Sequence, residues 1–383
     1  VMTKHALLSS EAKLWRSLAC AKSELRLDLT LACGQSFRWR ETAEGHWTGV
    51  MGGRVWTLTQ TDDALWYYVY KKQDGLEGSE RKRKASISPV EENKSKKRLK
   101  AVKDEGEPAD ATVQDCDVEE KLLRGYFQLD VKLGDLYSDW GAADPHFKRI
   151  ADIFTGVRML RQEPTECLFS FICTSNNHIS RIQGMVERLC EALGSPLCQL
   201  DQASYYDFPS LSSLADGSVE TRLRDLGFGY RARFLQQSAK QIIDVYGIQW
   251  LESLRSVPYP QARNALRTLP GVGTKVADCV CLMSLDKAEA VPIDTHVWQI
   301  AKRDYQYSAG SGQKSITDKL HRDLGDFFRA LWGPYAGWAQ SVLFCADLKK
   351  FQKFKQSPVK QLKNEEENED KQPEMFIKSE KMS

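Results

Sequence analysis

The chain has 383 residues, with 54 basic and 52 acidic side chains and a formal net charge of +2. Hydrophobic residues make up 42 % of it and it carries ten tryptophans; that excludes a wholly disordered chain and, at about 100–200 residues per domain, points to two or three domains. The near-balanced charge excludes bulk attraction as a source of nucleic-acid binding, so a local surface would have to supply it.

No apolar run of about 18 residues is present, so no membrane-spanning helix is expected. The early mixture of Lys4, Glu11, Lys13, Arg16 and Glu24 argues against a secretory signal. The ten cysteines are scattered and form no C-x-x-C pair. That disfavours a zinc ribbon or an iron–sulfur loop and fits reduced, buried thiols in an intracellular protein.

From Ser23 to about Tyr70 the sequence has the period of strands. Leu25 to Leu31 alternates apolar and polar residues without a break. The runs Gln35–Trp39, His46–Val50, Arg54–Leu58 and Leu65–Val69 repeat the style, with Gly34, Gly52-Gly53 and Asp62-Asp63 between them as turns. A small antiparallel sheet domain is expected over 1–70. Over 71–117 the apolar content collapses, which reads as a charged disordered insertion. Its clusters Arg81-Lys-Arg-Lys84 and Lys94-Ser-Lys-Lys-Arg-Leu-Lys100 are either a solvated loop or nuclear-import signals.

Helical periodicity is expected from 118 to 348. Ile179, Ile182, Met185, Val186, Leu189 and Leu193 recur at helix spacing before Gly194, and Pro145 and Pro164 suit first helical turns. Further helices are expected near 230–246, 261–269, 274–285, 295–303, 316–331 and 335–348. Residues 349–383 read as a second charged, disordered tail. The fold class is α+β: a small antiparallel sheet domain followed by an all-helical domain.

Leu269-Pro-Gly-Val-Gly-Thr-Lys-Val-Ala-Asp278 is the most informative stretch. Gly271 and Gly273 sit between two amphipathic helices, so the turn is either a tight connection or a cradle whose amides face a phosphate at a helix start. With its flanking residues it looks like the helix-hairpin-helix of DNA repair proteins. Lys275 follows directly, ahead of the apolar face of Val276, Val280 and Leu282. It is either a solvated lysine or an amine nucleophile. Asp294 precedes a helical stretch and is either an N-cap alone or a carboxylate aimed at a positive transition state. His296 is a surface or core residue, or a donor to a phosphate, and no second histidine at ligand spacing suggests a metal. Tyr230 and Arg231 pair a flat ring with a fork of donors: a capped corner, or a wedge and reader for DNA. Gln340 and Phe344 are four apart on one helical face, which is either core or one wall of a flat pocket.

This set resembles the helix-hairpin-helix superfamily of base-excision DNA glycosylases, and within it the eukaryotic 8-oxoguanine DNA glycosylases. The carrying stretches are Ser23–Arg40, Leu168–Arg181, Leu226–Arg233, Leu269–His296 and Leu331–Leu348. The resemblance implies a bifunctional glycosylase/lyase that needs no cofactor and no metal. Its partner would be duplex DNA carrying oxidised guanine opposite cytosine. It would be a monomer without membrane contact, acting in the nucleus, with a mitochondrial form left open. Lys275 matches the Schiff-base nucleophile and Asp294 the carboxylate that supports the developing charge. Gly34 matches the carbonyl that accepts from N7–H of the damaged base, Cys279 and Phe344 the flat walls, and Gln340 the amide that reads the pairing edge. Asn176, Arg181 and Arg231 match the readers of the orphaned cytosine and Tyr230 the wedge. His296 matches a phosphate contact, and Gly271 and Gly273 the phosphate-binding hairpin. His178 stands where a third asparagine is expected, and Cys33 and Thr174 stand where serines are. The insertion is longer than the pattern, and an iron–sulfur loop is absent. Two rivals follow from the same residues: a glycosylase of other base preference, and a non-catalytic DNA-binding protein of this fold.

Overall fold

The computed structural model describes residues 4–6, 14–72, 111–308, 312 and 314–355. The sheet is built from β1 (Arg16–Ala19), β2 (Trp39–Ala43), β3 (His46–Met51), β4 (Arg54–Gln60) and β5 (Ala64–Tyr70). Its order is β1-β5-β4-β3-β2, with every pair antiparallel. The short turns at Gly52-Gly53 and Asp62-Asp63 set the register, with Met51 opposite Arg54 and Gln60 opposite Leu65.

The Leu25–Leu31 run is not a strand. It holds one helical turn, α1 (Leu27–Thr30). Alternation in a strand would put all four leucines on one face. Here Leu25, Leu27 and Leu31 pack into the sheet's core while Leu29 packs into the helical core. The backbone is also taken up from the side: Arg26 donates its N–H to the Gly156 carbonyl at 2.8 Å, and the Gln60 amide brackets Leu25 and Leu27. Of the Gln35–Trp39 run only Trp39 enters a strand. Gln35 instead ties across the chain, donating to the Arg158 carbonyl at 2.8 Å and accepting from Leu160 N–H at 2.9 Å.

The helical part comprises α2 (Ala111–Tyr126), α3 (Leu133–Ala143), α4 (Pro145–Ala151), α5 (Pro164–Ile172), α6 (Ile179–Leu193), α7 (Leu211–Ala215), α8 (Val219–Asp225), α9 (Arg231–Gln241), α10 (Trp250–Ser253), α11 (Tyr259–Leu266), α12 (Thr274–Ser284), α13 (Thr295–Tyr305), α14 (Asp318–Trp332) and α15 (Ala336–Asp347). α2 begins inside the segment read as an insertion. The basic clusters at 81–84 and 94–100 and the tail beyond residue 355 lie outside the described residues. Pro145 and Pro164 open their helices as expected. Gly194 ends α6 in extended conformation, and the reason is close approach: a Cβ there would lie 2.0 Å from the Asp207 carbonyl oxygen. The region is not helical throughout. β6 (Pro196–Leu200) and β7 (Ala203–Tyr206) form a hairpin that packs Leu197, Cys198 and Leu200 on Val50, Val55 and Tyr70. Its turn uses Asp201 at φ 51°, a conformation Asp tolerates, so no glycine marks it in the sequence. No helix among the described residues is long and apolar enough to cross a membrane.

Arg158 joins the two parts. Its buried guanidinium donates to the carbonyls of Glu24, Gln128 and Val131 at 2.6, 2.5 and 2.5 Å and to the Glu24 carboxylate at 3.0 Å. A second joint pairs Arg38 with Glu166 of α5 at 3.5 Å. Burial raises the Glu166 carboxyl to about 7 even against the pull of Arg38. The folded state therefore holds that proton more tightly than the unfolded chain. The contribution is fully present below pH 4.5 and is lost as pH rises through 7. Glu166→Gln stays neutral throughout. It is expected to match wild type near pH 4.5 and to exceed it well above pH 7 by about 3 kcal/mol. Urea unfolding of both proteins across that window measures the difference.

Candidate active site

Helices α11 and α12 meet at a turn with two glycines. Gly271 has φ +76°, and a Cβ on it would sit 2.7 Å from the Phe234 ring. Gly273 caps α12 in extended conformation, with nothing within 4 Å of where its Cβ would be. Gly271 is required by the fold, whereas Gly273 leaves an open face at the helix start. Gly271→Ala is expected to cost about 2–3 kcal/mol, from left-handed strain plus overlap with Phe234. Gly273→Ala is expected to change stability by under about 1 kcal/mol. Thermal unfolding of the two variants separates these reasons. Buried Asp278 sets the helix pair: it accepts from the Tyr259 hydroxyl at 2.7 Å and pairs with Arg263 at 3.0 Å. Burial still lifts its carboxyl to about 6.

The first turn of α12 carries Lys275. Its half-buried side chain donates to Thr174 Oγ1 at 3.4 Å and lies 5.5 Å from the centre of the Phe171 ring. Asp294 is the N-cap of α13, accepting from Val297 N–H at 2.8 Å. The cap reading thus holds, and the same carboxylate also faces a cavity.

That cavity, about 500 Å³ counted to its open mouth, gathers Lys275, Asp294, Gly34, Cys279, Gln340 and Phe344 from four parts of the chain. Its remaining lining includes Phe171, Met283, Pro292 and Val297, which sequence reasoning missed. Met283 was within reach, because 275, 279 and 283 are four apart on α12 and share a face. Phe171 and Pro292 carry no local signal. Burial pushes the Cys279 thiol up to about 11, so it forms a neutral wall. Gln340 is 4 % exposed, and its Nε2 has no hydrogen-bond partner among the described residues. An unmatched buried donor costs about 1–3 kcal/mol, so this pocket gains by receiving an acceptor. Gly34 enters the lining at φ +86°, with Ile179 only 3.1 Å from where a Cβ would lie.

The family described as 8-oxoguanine DNA glycosylase, N-terminal domain, matches residues 17–168, and the HhH-GPD superfamily of base excision DNA repair proteins matches 169–324. The N-glycosylase/DNA lyase OGG1 of Arabidopsis thaliana is 38 % identical over 87 % of this chain and 80 % of its own length. The N-glycosylase/DNA lyase of Saccharomyces cerevisiae is 35 % identical over 86 % of this chain and 85 % of its own length. The chain belongs to the OGG1-like N-glycosylase/DNA lyase family. It is a DNA glycosylase with lyase activity at abasic sites. Among solved structures it is similar to the Clostridium acetobutylicum 8-oxoguanine glycosylase/lyase in its apo form, at 25 % identity and TM-score 0.64 over 84 % of this chain and 93 % of that one. The same bacterial enzyme in complex with duplex DNA gives TM-score 0.65 over 84 % and 91 %.

In this OGG1-like enzyme a second group of side chains converges on one backbone carbonyl. Arg231 and Tyr230, at the start of α9, both donate to the carbonyl of Ser175, the residue before Asn176. Arg231 lies 4.7 Å from the centre of the Tyr230 ring. Arg231 is buried and its Nε has no hydrogen-bond partner among the described residues, whereas Tyr230 is 47 % exposed. Asn176 adopts φ 47°, and Arg181 is exposed in the first turn of α6. His178 caps that helix, accepting from Arg181 N–H at 3.4 Å. The first-turn position of His296 is as expected, but its Nε2 is held by Asp347 and its ring lies 5.1 Å from that of Phe344. Asp347 lies 51 residues further along the chain, so no local pattern around His296 marks it as a partner.

Proposed function

We propose that this enzyme flips 8-oxoguanine, paired with cytosine, out of duplex DNA and excises it through the amine of Lys275. The single observation that carries this reading is the cavity in which a Gln340 amide, unpartnered among the described residues, shares the lining with the Lys275 amine and the Asp294 carboxylate. A planar base between Cys279 and Phe344 offers Gln340 the acceptors it lacks. Its N7–H, present in the oxidised base and absent in guanine, meets the carbonyl of Gly34. For guanine that carbonyl would meet a lone pair instead, at a cost of about 1–3 kcal/mol.

In the chemistry, the Lys275 nitrogen bonds to C1′ and the C1′–N9 bond breaks, with the electron pair leaving on the base. Asp294 stabilises the positive charge that develops on the sugar. Ring opening turns the C–N bond into an imine. The imine acidifies C2′–H, and loss of that proton expels the 3′ phosphate by β-elimination. Asn176, Arg181 and Arg231 read the orphaned cytosine and Tyr230 fills the gap. The Gly271–Gly273 amides and the free ring nitrogen of His296 hold phosphates. Unstacking the base costs a few kcal/mol, which these contacts offset. The bacterial relative was solved with cytosine opposite 8-oxoG, which supports the opposite-base assignment. We extend the reading to a monomer acting in the nucleus, imported through the clusters at 81–84 and 94–100.

A panel of duplexes tests the assignment. Carrying 8-oxoguanine, guanine, an alkylated purine and an oxidised pyrimidine, each opposite cytosine, it should show release of 8-oxoguanine in strong preference. Equal or faster release of an alkylated base or pyrimidine would overturn it.

A further inference from the structure

Two side chains of α13 share one carboxylate at the end of α15. His296 and Arg303 are seven residues apart, which puts them two turns apart on one face of their helix. Asp347, the last residue of α15, meets both. His296 Nε2 bonds to one carboxylate oxygen, and Arg303 Nη2 donates to the other at 2.9 Å. Arg303 is itself fixed. Its Nε and Nη2 also donate to the two oxygens of Asp304 at 2.8 and 2.7 Å, and His146 of α4 lies 3.6 Å from that carboxylate. Burial works against a charge on Asp347, yet the bonds from Arg303 and His296 hold its carboxyl below the ordinary carboxylate range. Phe344 stands three residues before Asp347 on α15, and its ring centre lies 5.1 Å from that of His296. The contacts thus run from Arg303 through Asp347 and His296 to a wall of the base cavity. Arg303 does not line that cavity.

We propose that Arg303 is a positioning residue for base excision: by fixing the Asp347 carboxylate it sets the ring of His296, and through that ring the Phe344 wall. The torsion that turns an aspartate carboxylate is broad, so a carboxylate held at one oxygen can swing. Held at both, it offers His296 Nε2 one place to bond and leaves the other ring nitrogen for a phosphate. The planar fork of arginine suits the task, because it can hold two carboxylates at once. The role in excision rests on the base placement proposed above.

The test compares Arg303→Gln with wild type, first without DNA. With the histidine ring nitrogens labelled, the proton on His296 Nε2 should give a sharp downfield NMR signal in wild type, assigned by its loss in His296→Gln. It should broaden or vanish in Arg303→Gln and in Asp347→Asn. In single-turnover excision of 8-oxoguanine, Arg303→Gln should raise the half-saturating enzyme concentration about fivefold to tenfold and leave the limiting rate within about twofold. Arg303→Lys keeps a charge within reach of Asp347 and should recover most of the loss. Adding Arg303→Gln to Asp347→Asn should cost less than about twofold more. The Arg303 side chain is 55 % exposed, so the fold should survive; Arg303→Met, which keeps the apolar stem, is the second variant if the first does not fold. A signal that persists in Arg303→Gln overturns the proposal, as does an unmoved half-saturating concentration. Losses that multiply in the double variant also overturn it, because Arg303 would then hold DNA itself. The NMR signal is read without substrate, so it stands or falls independently of the substrate assignment.

Discussion

Lys275→Gln should yield no covalent adduct when mixed with lesion-bearing duplex and borohydride, and base release should slow by about 10³-fold or more. Among the described residues Lys275 is the one amine lining the cavity, and a neutral amide of similar length cannot form an imine. The fold should tolerate the change. Lys275 makes one long hydrogen bond, to Thr174 at 3.4 Å, and a contact with the Phe171 ring at 5.5 Å. Partly exposed groups with so few partners usually contribute about 1 kcal/mol or less. A shift in Tm of more than a few degrees would mean that loss of activity reports unfolding. If the variant still traps as wild type does, another amine is the nucleophile. Lys350, on the Ala32 carbonyl beside the cavity, would be the first to replace.

What was legible in the sequence was local. The glycine turn, the cap at Asp294 and the four-residue spacing of Gln340 and Phe344 are each written within one or two helical turns, and each sits where the pattern puts it. Tertiary partners were not legible. Arg231 reads as a free fork of donors, yet the fold buries it and spends one nitrogen on Ser175. His296 reads as a free phosphate donor, yet Asp347 holds one of its two nitrogens. Leu25 to Leu31 fails for a related reason. Period-two alternation identifies a strand only when one side of the segment meets a core, and this segment meets two. The β6–β7 hairpin went unread because an aspartate takes the turn position where a glycine would have announced it.

Asp294→Asn separates the two readings of that residue, because asparagine caps helices as well as aspartate does. The Asn oxygen can still accept from Val297 N–H, now 2.8 Å from the carboxylate, so α13 should start at the same residue and Tm should hold. The negative charge beside the developing oxocarbenium is lost. Removing one well-placed electrostatic stabiliser costs about 3–4 kcal/mol in the transition state, so base release should fall by roughly 10²–10³-fold. Capture of a preformed abasic aldehyde has no glycosidic bond to break, so Schiff-base trapping on that substrate should fall much less. Asp294→Ala removes cap and charge together and should add about 1 kcal/mol of instability to the same kinetic loss. If Asn and Ala lose stability equally while Asn excises at the wild-type rate, the carboxylate is a cap and nothing more. If Asn folds as wild type does but releases base slowly, the charge itself acts on the sugar, and the helix start at Asp294 is the means of aiming it.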